Sequence, residues 1–506
     1  MHNFGKSDKY KLRKLFYVSA LCVTLSVILT GCNVTEAVQT ARQRIAEKRQ
    51  EREKITNDIE ITDGQEEINS QESVSGDEDA RITEIAKTPD GESEHGDDSK
   101  ESSRTKSSND GKPALNSTIK LFDTYGELVE QEIAVIDETG SNNETAEDKS
   151  KEIKASELND YSSECIDCYA YSQLSKQEQQ IYREIYSIVR DFRENVVLSS
   201  KDTDKIDHAF KCVMVDHPEI FYVKGYSIGK FIRGKSIDRI TLKGTYTMTK
   251  AQAEEKAAKV DRYITNVIKN APQGDDYDII KYVYEYLIYN TEYDDSALNN
   301  QNILSIVDSG KTVCQGYAKM TQLILNRMGL FCTLVNGTAI GSNGTGTGNT
   351  SEWSSHVWNI VRSNGRYYIV DTTWGDATFT INDDEGGSNP KVDINYEFLM
   401  VKDSDIVSTH NPSPVVNMPE CVSDQDNYYV REGCYFSYVN QEQLQLAFDR
   451  FYADGKLMIS IKMQDDNVYD DMKQYLFEDQ NIFKYIAGDS VKYVEYPERN
   501  MMLITL

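Results

Sequence analysis

Thr312-Val313-Cys314-Gln315-Gly316-Tyr317-Ala318 is the stretch on which the fold turns. A Thr followed three residues later by Gln, just ahead of an apolar periodicity, is the pattern of a capping box. The Thr312 hydroxyl would accept from the Gln315 N–H, and the Gln315 side chain would return to the N–H of Thr312. Behind it Tyr317, Met320, Ile324 and Met328 recur at helical spacing, Ala318 and Leu323 widen the stripe, and Gly329 supplies a stop. Cys314 therefore falls in the first turn of a core-packed helix. There the unsatisfied N–H groups and the positive end of the dipole favour thiolate over thiol.

Two further stretches complete a set. Residues 356–361 and 366–371 read as strands joined at Asn364-Gly365, a pair that suits a two-residue hairpin turn. That turn puts His356 opposite Thr373 and Trp358 opposite Asp371, so His356 and Asp371 become diagonal neighbours on one face. Trp358, Ile360, Tyr367 and Ile369 share this face, which is expected to pack on the Cys314 helix, while Asn359, Arg366 and Tyr368 point away. Taken singly, each of the three has a plainer role: a buried thiol, a core imidazole, a turn-capping carboxylate. Together they offer a nucleophile, its base and the base's orienter, in the order Cys, His, Asp.

The words Cys314-Gln315-Gly316-Tyr317-Ala318, Ser355-His356-Val357-Trp358-Asn359 and Asp371-Thr372-Thr373-Trp374 resemble those of the transglutaminase-like superfamily, notably its bacterial secreted members. The resemblance is specific over about residues 277–376. It is weaker at His217-Pro218-Glu219-Ile220-Phe221-Tyr222 upstream and at Tyr396-Glu397-Phe398-Leu399 downstream. It implies an α+β, papain-like core and thiol chemistry on amide bonds, without deciding between hydrolysis and transamidation.

The chain of 506 residues begins with Lys6, Lys9, Lys11, Arg13 and Lys14, followed by an apolar run over residues 15–29. That is the plan of a signal peptide, too short and wrongly flanked for a membrane span. Leu29-Thr30-Gly31-Cys32 looks like a bacterial lipobox, which implies cleavage after residue 31 and lipid on Cys32. Residues 32–160 are expected to form a disordered acidic stalk, with a helical start at 34–52 and an apolar patch at 117–136. From 33 to 160, 33 carboxylates against 16 Lys and Arg carry −17 of the net −28. Phe122 and Tyr125 are the only aromatics there, too little apolar surface to offset the entropy of folding. Acidity of this kind excludes nucleic acid as the natural partner.

Residues 161–409 are expected to hold the transglutaminase-like domain with a helical extension, and 410–506 a small α/β subdomain. Helices are predicted at 174–196, 206–215, 249–270, 276–289, 441–453 and 468–486, and strands at 239–247, 428–438, 457–463, 491–496 and 501–506. The glycine-rich stretch 335–355 reads as a flexible insertion. It lacks the strand-before, helix-after setting of a phosphate loop, and its place before His356 makes it a candidate lid.

Cys165-Ile166-Asp167-Cys168 lacks a second pair, and His208, Cys212 and His217 lack a fourth ligand, so no metal or cofactor is expected. Cys421 and Cys434 could staple the start of the last subdomain. Cys314, His356 and Asp371 are the catalytic candidates; Gln315, Trp358 and Trp374 are candidates for substrate or oxyanion contact. Gln315 is favoured as the cap. The sequence thus points to a lipid-anchored, extracytoplasmic acyl-transfer enzyme, a peptidase or amidase with a peptide, protein or cell-wall peptide as substrate. A crosslinking transglutaminase and a non-catalytic surface scaffold are the alternatives.

Overall fold

A computed structural model describes residues 81–86, 127–136, 153–165, 168–340, 353–376, 394–456 and 458–505. The chain divides into two compact units, Gly96–Arg431 and Met1–His95 with Glu432–Leu506.

In the larger unit three helices start on true capping boxes. Ser175 with Glu178 opens Lys176–Asp191, Thr249 with Gln252 opens Lys250–Lys269, and Asp275 with Asp278 opens Asp276–Asn290. Each box satisfies two backbone donors that a helix start otherwise leaves without partners. One five-stranded sheet runs Glu127–Ile136, Val223–Arg233, Ser236–Tyr246, Val196–Val197, Ile153–Lys154. The second runs Leu399–Val401, Arg366–Val370, Trp353–Ser363, Cys332–Ile340, His410–Pro412, with every neighbour antiparallel.

The second sheet carries the hairpin. Ser363 pairs with Arg366 and Asn359 with Val370, the register of a two-residue turn. Asn364 and Gly365 sit at φ 49° and 82°, the left-handed pair such a turn needs. The ladder stops at Val370, so the expected pairs of His356 with Thr373 and Trp358 with Asp371 do not form. Asp371 instead caps the short helix Thr372–Gly375, its carboxylate accepting from Trp374 N–H.

The packing face is also corrected. Trp358, Ile360 and Ile369 lie in a core with Phe398, Val401, Ile406 and Cys421. The Cys314 helix meets the opposite face, where the buried Asn359 amide donates to the Ala318 carbonyl at 3.0 Å. The reason lies in the segment after Asp371. It returns across the sheet and covers the Trp358 face with apolar side chains of its own.

That same return moves the domain boundary. His410–Pro412, expected to open the C-terminal subdomain, is the edge strand beside Cys332–Ile340, and the smaller unit takes over only at Glu432. Its sheet runs Arg81–Ala86, Ser490–Tyr496, Met501–Thr505, Met458–Met463, Tyr435–Phe436, with only the last pair parallel. The predicted strand at 428–438 begins as a helical turn, Tyr428–Arg431, and is a strand only at Tyr435–Phe436, and the helix at 468–486 breaks up after Lys473.

Two stretches of the expected stalk are strands. Arg81–Ala86 pairs antiparallel with Ser490–Tyr496, and Glu127–Ile136, inside the apolar patch, runs parallel to Val223–Arg233. Low average hydrophobicity over a long stretch concealed two short runs of β-forming residues. Regular structure resumes at Ile153, ahead of the expected boundary at 161. The signal segment, Cys32, the helical start at 34–52 and residues 341–352 of the expected lid lie outside the described residues. The flanks of that insertion are paired strands, Trp353 lying opposite Ile340. No helix among the described residues is long and apolar enough to cross a membrane. Cys421 and Cys434 are both free and fall in separate units, which corrects the expected staple.

Candidate active site

Cys314 is the first residue of a 14-residue helix, Cys314–Arg327, but the expected capping box is absent. Val313 is the N-cap and no side chain caps this end. Thr312 belongs to a two-residue strand beside Glu292–Tyr293, and its hydroxyl donates to the Asn300 carbonyl at 2.9 Å and bonds the Ser305 hydroxyl at 2.7 Å. Gly316 allows this, since a Cβ there would fall 1.8 Å from the Thr312 hydroxyl. The consequence is chemical: the N–H groups of Cys314 and Gln315 have neither an intrahelical acceptor nor a cap.

His356 and Asp371 are buried, 5% and 1% exposed in their side chains, with His356 Nε2 2.5 Å from Asp371 Oδ2. Nδ1 is then the nitrogen left to face Cys314, whose proximity also favours the charged ring. Burial disfavours the imidazolium, yet the Asp371 charge and hydrogen bond, with Cys314, outweigh it and push the His356 pKa up to about 10. Burial likewise opposes the Asp371 charge, but His356 and hydrogen bonds from two imidazoles hold it well below the usual carboxylate range. Cys314 keeps partial exposure while both partners are covered.

The second imidazole is His410, which the sequence reading left in the wrong domain. It is fully buried, with Nε2 3.1 Å from Asp371 Oδ2 and Nδ1 2.9 Å from the Thr409 hydroxyl. Burial, joined by the nearby His356 charge, lowers its pKa, so it serves as a neutral donor to Asp371. Trp358, Trp374 and Phe398 wall it in. No local word marks His410, and only the return of residues 398–412 along the sheet brings it to Asp371. Tyr293 was also missed; burial first, and then the neighbouring Cys314, raise the pKa of its phenol.

The three contact candidates separate. Trp358 is 1% exposed and belongs to the core. Gln315 is buried, accepts from Lys319 Nζ at 3.4 Å and lines a pocket together with Lys319. Trp374 stays beside His356, with ring centroids 5.9 Å apart, and its buried indole N–H has no acceptor. His356, Asp371 and His410 form the single group among the described residues whose ligand atoms lie close enough, within 4.8 Å, to hold a metal ion. Their hydrogen bonds to one another already account for those atoms.

Residues 246–372 match the family model of the transglutaminase-like superfamily. This core is transglutaminase-like. The chain is 27% identical over 122 residues to kyphoscoliosis peptidase from Homo sapiens, an overlap of 23% of this chain and 18% of that protein. The Mus musculus protein of the same name is 29% identical over 106 residues, 20% of this chain and 16% of that protein. The chain thus spans less than a fifth of the length of these curated relatives. Among solved structures, that of a TGase aligns at 16% identity over 37% of this chain and 57% of that one, with a TM-score of 0.21. The matched residues end at the beginning of the Thr372–Gly375 helix, so His410 stands outside them.

Proposed function

We propose that the protein is a cysteine acyl-transfer enzyme that hydrolyses peptide or side-chain amides, tethered outside the cytoplasm through a lipid on Cys32. The observation that carries the proposal is the buried chain from Cys314 through His356 to Asp371, with the thiol at its accessible end. Cys314 Sγ attacks the amide carbonyl, the uncapped N–H groups of the first turn face the charge developing on oxygen, and the C–N bond breaks as His356 gives its proton to the leaving amine. Water, deprotonated by His356, then cleaves the thioester and restores the thiolate and imidazolium. Asp371 holds the ring and its charge throughout. The partial exposure of Cys314 favours water as acceptor over an amine that would need a closed, dry site.

A peptide-based thiol-directed probe library, followed by mass-spectrometric location of the adduct, tests the proposal. Labelling at Cys314 that disappears in His356→Ala is expected. Labelling of Cys314 that ignores His356 would favour a scaffold with an ordinary thiol. Supplying a primary amine during turnover separates the two acceptors, since a new amide in place of a free acid would make the enzyme a transglutaminase. For the tether, membrane association that survives Cys32→Ala would rule out lipid as the anchor.

A further inference from the structure

Lys319 lies one helical turn beyond Gln315, itself the residue after Cys314, and is 7% exposed. Among the described residues its ammonium makes one hydrogen bond, to Gln315 Oε1 at 3.4 Å, and faces no carboxylate; burial brings its pKa down to about 8. A buried lysine normally has a counter-ion, because a desolvated and unpaired charge is expensive. Side chains on a helix lean towards its N-terminus, so this ammonium is carried back towards the turn that bears Cys314.

Lys319 lines a pocket of about 210 Å³ with Gln315, Gln301, Asn302, Thr247 and Lys224. Met214, Phe221 and Val223 supply apolar walls, and among the described residues no Asp or Glu contributes to the lining. In a chain of net charge −28 such a lining is unusual. His217 also borders the pocket, and its charge is already matched by Glu219, Nδ1 lying 2.7 Å from the carboxylate. The volume suits a carboxylate with a short stem rather than a second peptide chain.

The geometry points to a carboxylate-binding subsite in which Lys319, with the amides of Gln315, Gln301 and Asn302, holds an acidic group of the substrate near the amide that Cys314 attacks. The inference rests on the function proposed above and adds a substrate class: peptides bearing a free carboxylate close to the scissile bond. A carboxylate entering the pocket would form a charge-assisted hydrogen bond with the ammonium in a low-dielectric setting, where such bonds are strongest.

Two readouts on the full chain test it. In the first, thermal unfolding is followed with acetate, inorganic phosphate or neutral acetamide, in wild type and in Lys319→Met. Acetate should stabilise the wild type, acetamide should not, and Lys319→Met should lose the acetate response. No acetate response in the wild type, or an equal one in Lys319→Met, overturns the subsite. A response to phosphate alone overturns the assignment to carboxylates. In the second readout, a pair of peptidyl thiol-directed probes carries Glu or Gln beside the reactive group. The Glu probe should label Cys314 roughly tenfold faster than the Gln probe, the order of one charge-assisted hydrogen bond, and Lys319→Met should erase the preference. Equal rates in the wild type sink the subsite. A Cys314 inert to both probes instead sinks the proposed nucleophile, while the acetate titration still judges the pocket.

Discussion

The molecule contains two cysteine–histidine–carboxylate arrangements, and they are not equivalent. Beside Cys314, His356 and Asp371 stands a second set: Cys168 Sγ lies 3.8 Å from His217 Nε2, whose Nδ1 lies 2.7 Å from Glu219. It borders a cavity of about 930 Å³, and His217 stacks on Tyr186 with ring centroids 3.8 Å apart. In both sets burial works against the imidazolium and a carboxylate restores it. The thiol and the acid differ. Both thiols are partly exposed at uncapped helix starts, but Cys168 is the N-cap of a five-residue helix, Tyr169–Gln173, and burial raises its pKa beyond what its bond to His217 offsets, whereas Cys314 is the first residue of a 14-residue helix. Asp371 is fixed by His356, His410 and the Trp374 N–H, while Glu219 is 34% exposed and bonded to His217 and, at 3.4 Å, to the Tyr186 hydroxyl. What separates the two sets is the longer helix behind Cys314 and an acid held on several sides, and on the proposed function these mark Cys314 as the nucleophile.

The sharpest break between the sets is expected on removing sulfur. Cys314→Ala should abolish amide turnover and probe labelling, while Cys168→Ala should leave both within about twofold, since only one thiol forms the acyl-enzyme. Turnover that survives Cys314→Ala would move the site to Cys168 or elsewhere. Next in size is the acid. Asp371→Asn should keep the fold by circular dichroism and cut kcat by roughly 10²–10⁴, as in a triad whose base is held in the wrong tautomer, whereas Glu219→Gln should leave kcat unchanged. A comparable loss in Glu219→Gln would erase the distinction.

His410→Phe should lower kcat about tenfold with little change in KM, because it removes one bond to a charged group, worth about 1.5–3 kcal/mol, without touching substrate. If KM rises instead and kcat holds, His410 contacts the substrate and its role as a positioning residue is wrong. The smallest effect concerns pH. Both His356 and His217 have folded-state pKa values raised above the unfolded value of 6.5, so each contributes stability that is complete below about pH 6.5 and is lost as pH rises towards its folded value. Lys319, lowered to about 8, works the opposite way at higher pH, so the clean window is pH 6.5 to 8. Melting temperature should fall across that window, and less steeply in His356→Gln and in His217→Gln than in wild type. An unchanged slope in His356→Gln would mean that the His356–Asp371 pair is not ionised in the fold.

Local chemistry was legible where one short stretch decides it. Asn364-Gly365 fixed the turn and the register because both residues tolerate positive φ, and the helix at Cys314 followed from its apolar spacing. The three site residues were legible for the same reason, each standing at the edge of a locally determined element. The capping box failed because the same Thr-x-x-Gln spacing has a competing use. The Thr312 hydroxyl gains two partners in the interior, Ser305 and the Asn300 carbonyl, and the strand it joins leaves the cap to Val313.

By itself the sequence determined an α+β chain with a helix-borne thiol and a hairpin that carries an imidazole and leads into a carboxylate. Only the tertiary structure decided which face of that hairpin meets the helix, where the larger unit ends, and that His410 closes on Asp371 from the far edge of the sheet. It also decided that Lys319 is buried with no counter-charge among the described residues. The physical reason is separation along the chain. His410 lies 39 residues beyond Asp371, and the partners of Lys319, or their absence, depend on which distant segments fold over it. No periodicity or short motif encodes such meetings: His410 comes to Asp371 through the burial of residues 398–421 against the sheet, and Lys319 is surrounded by residues 214–224, 247 and 301–302.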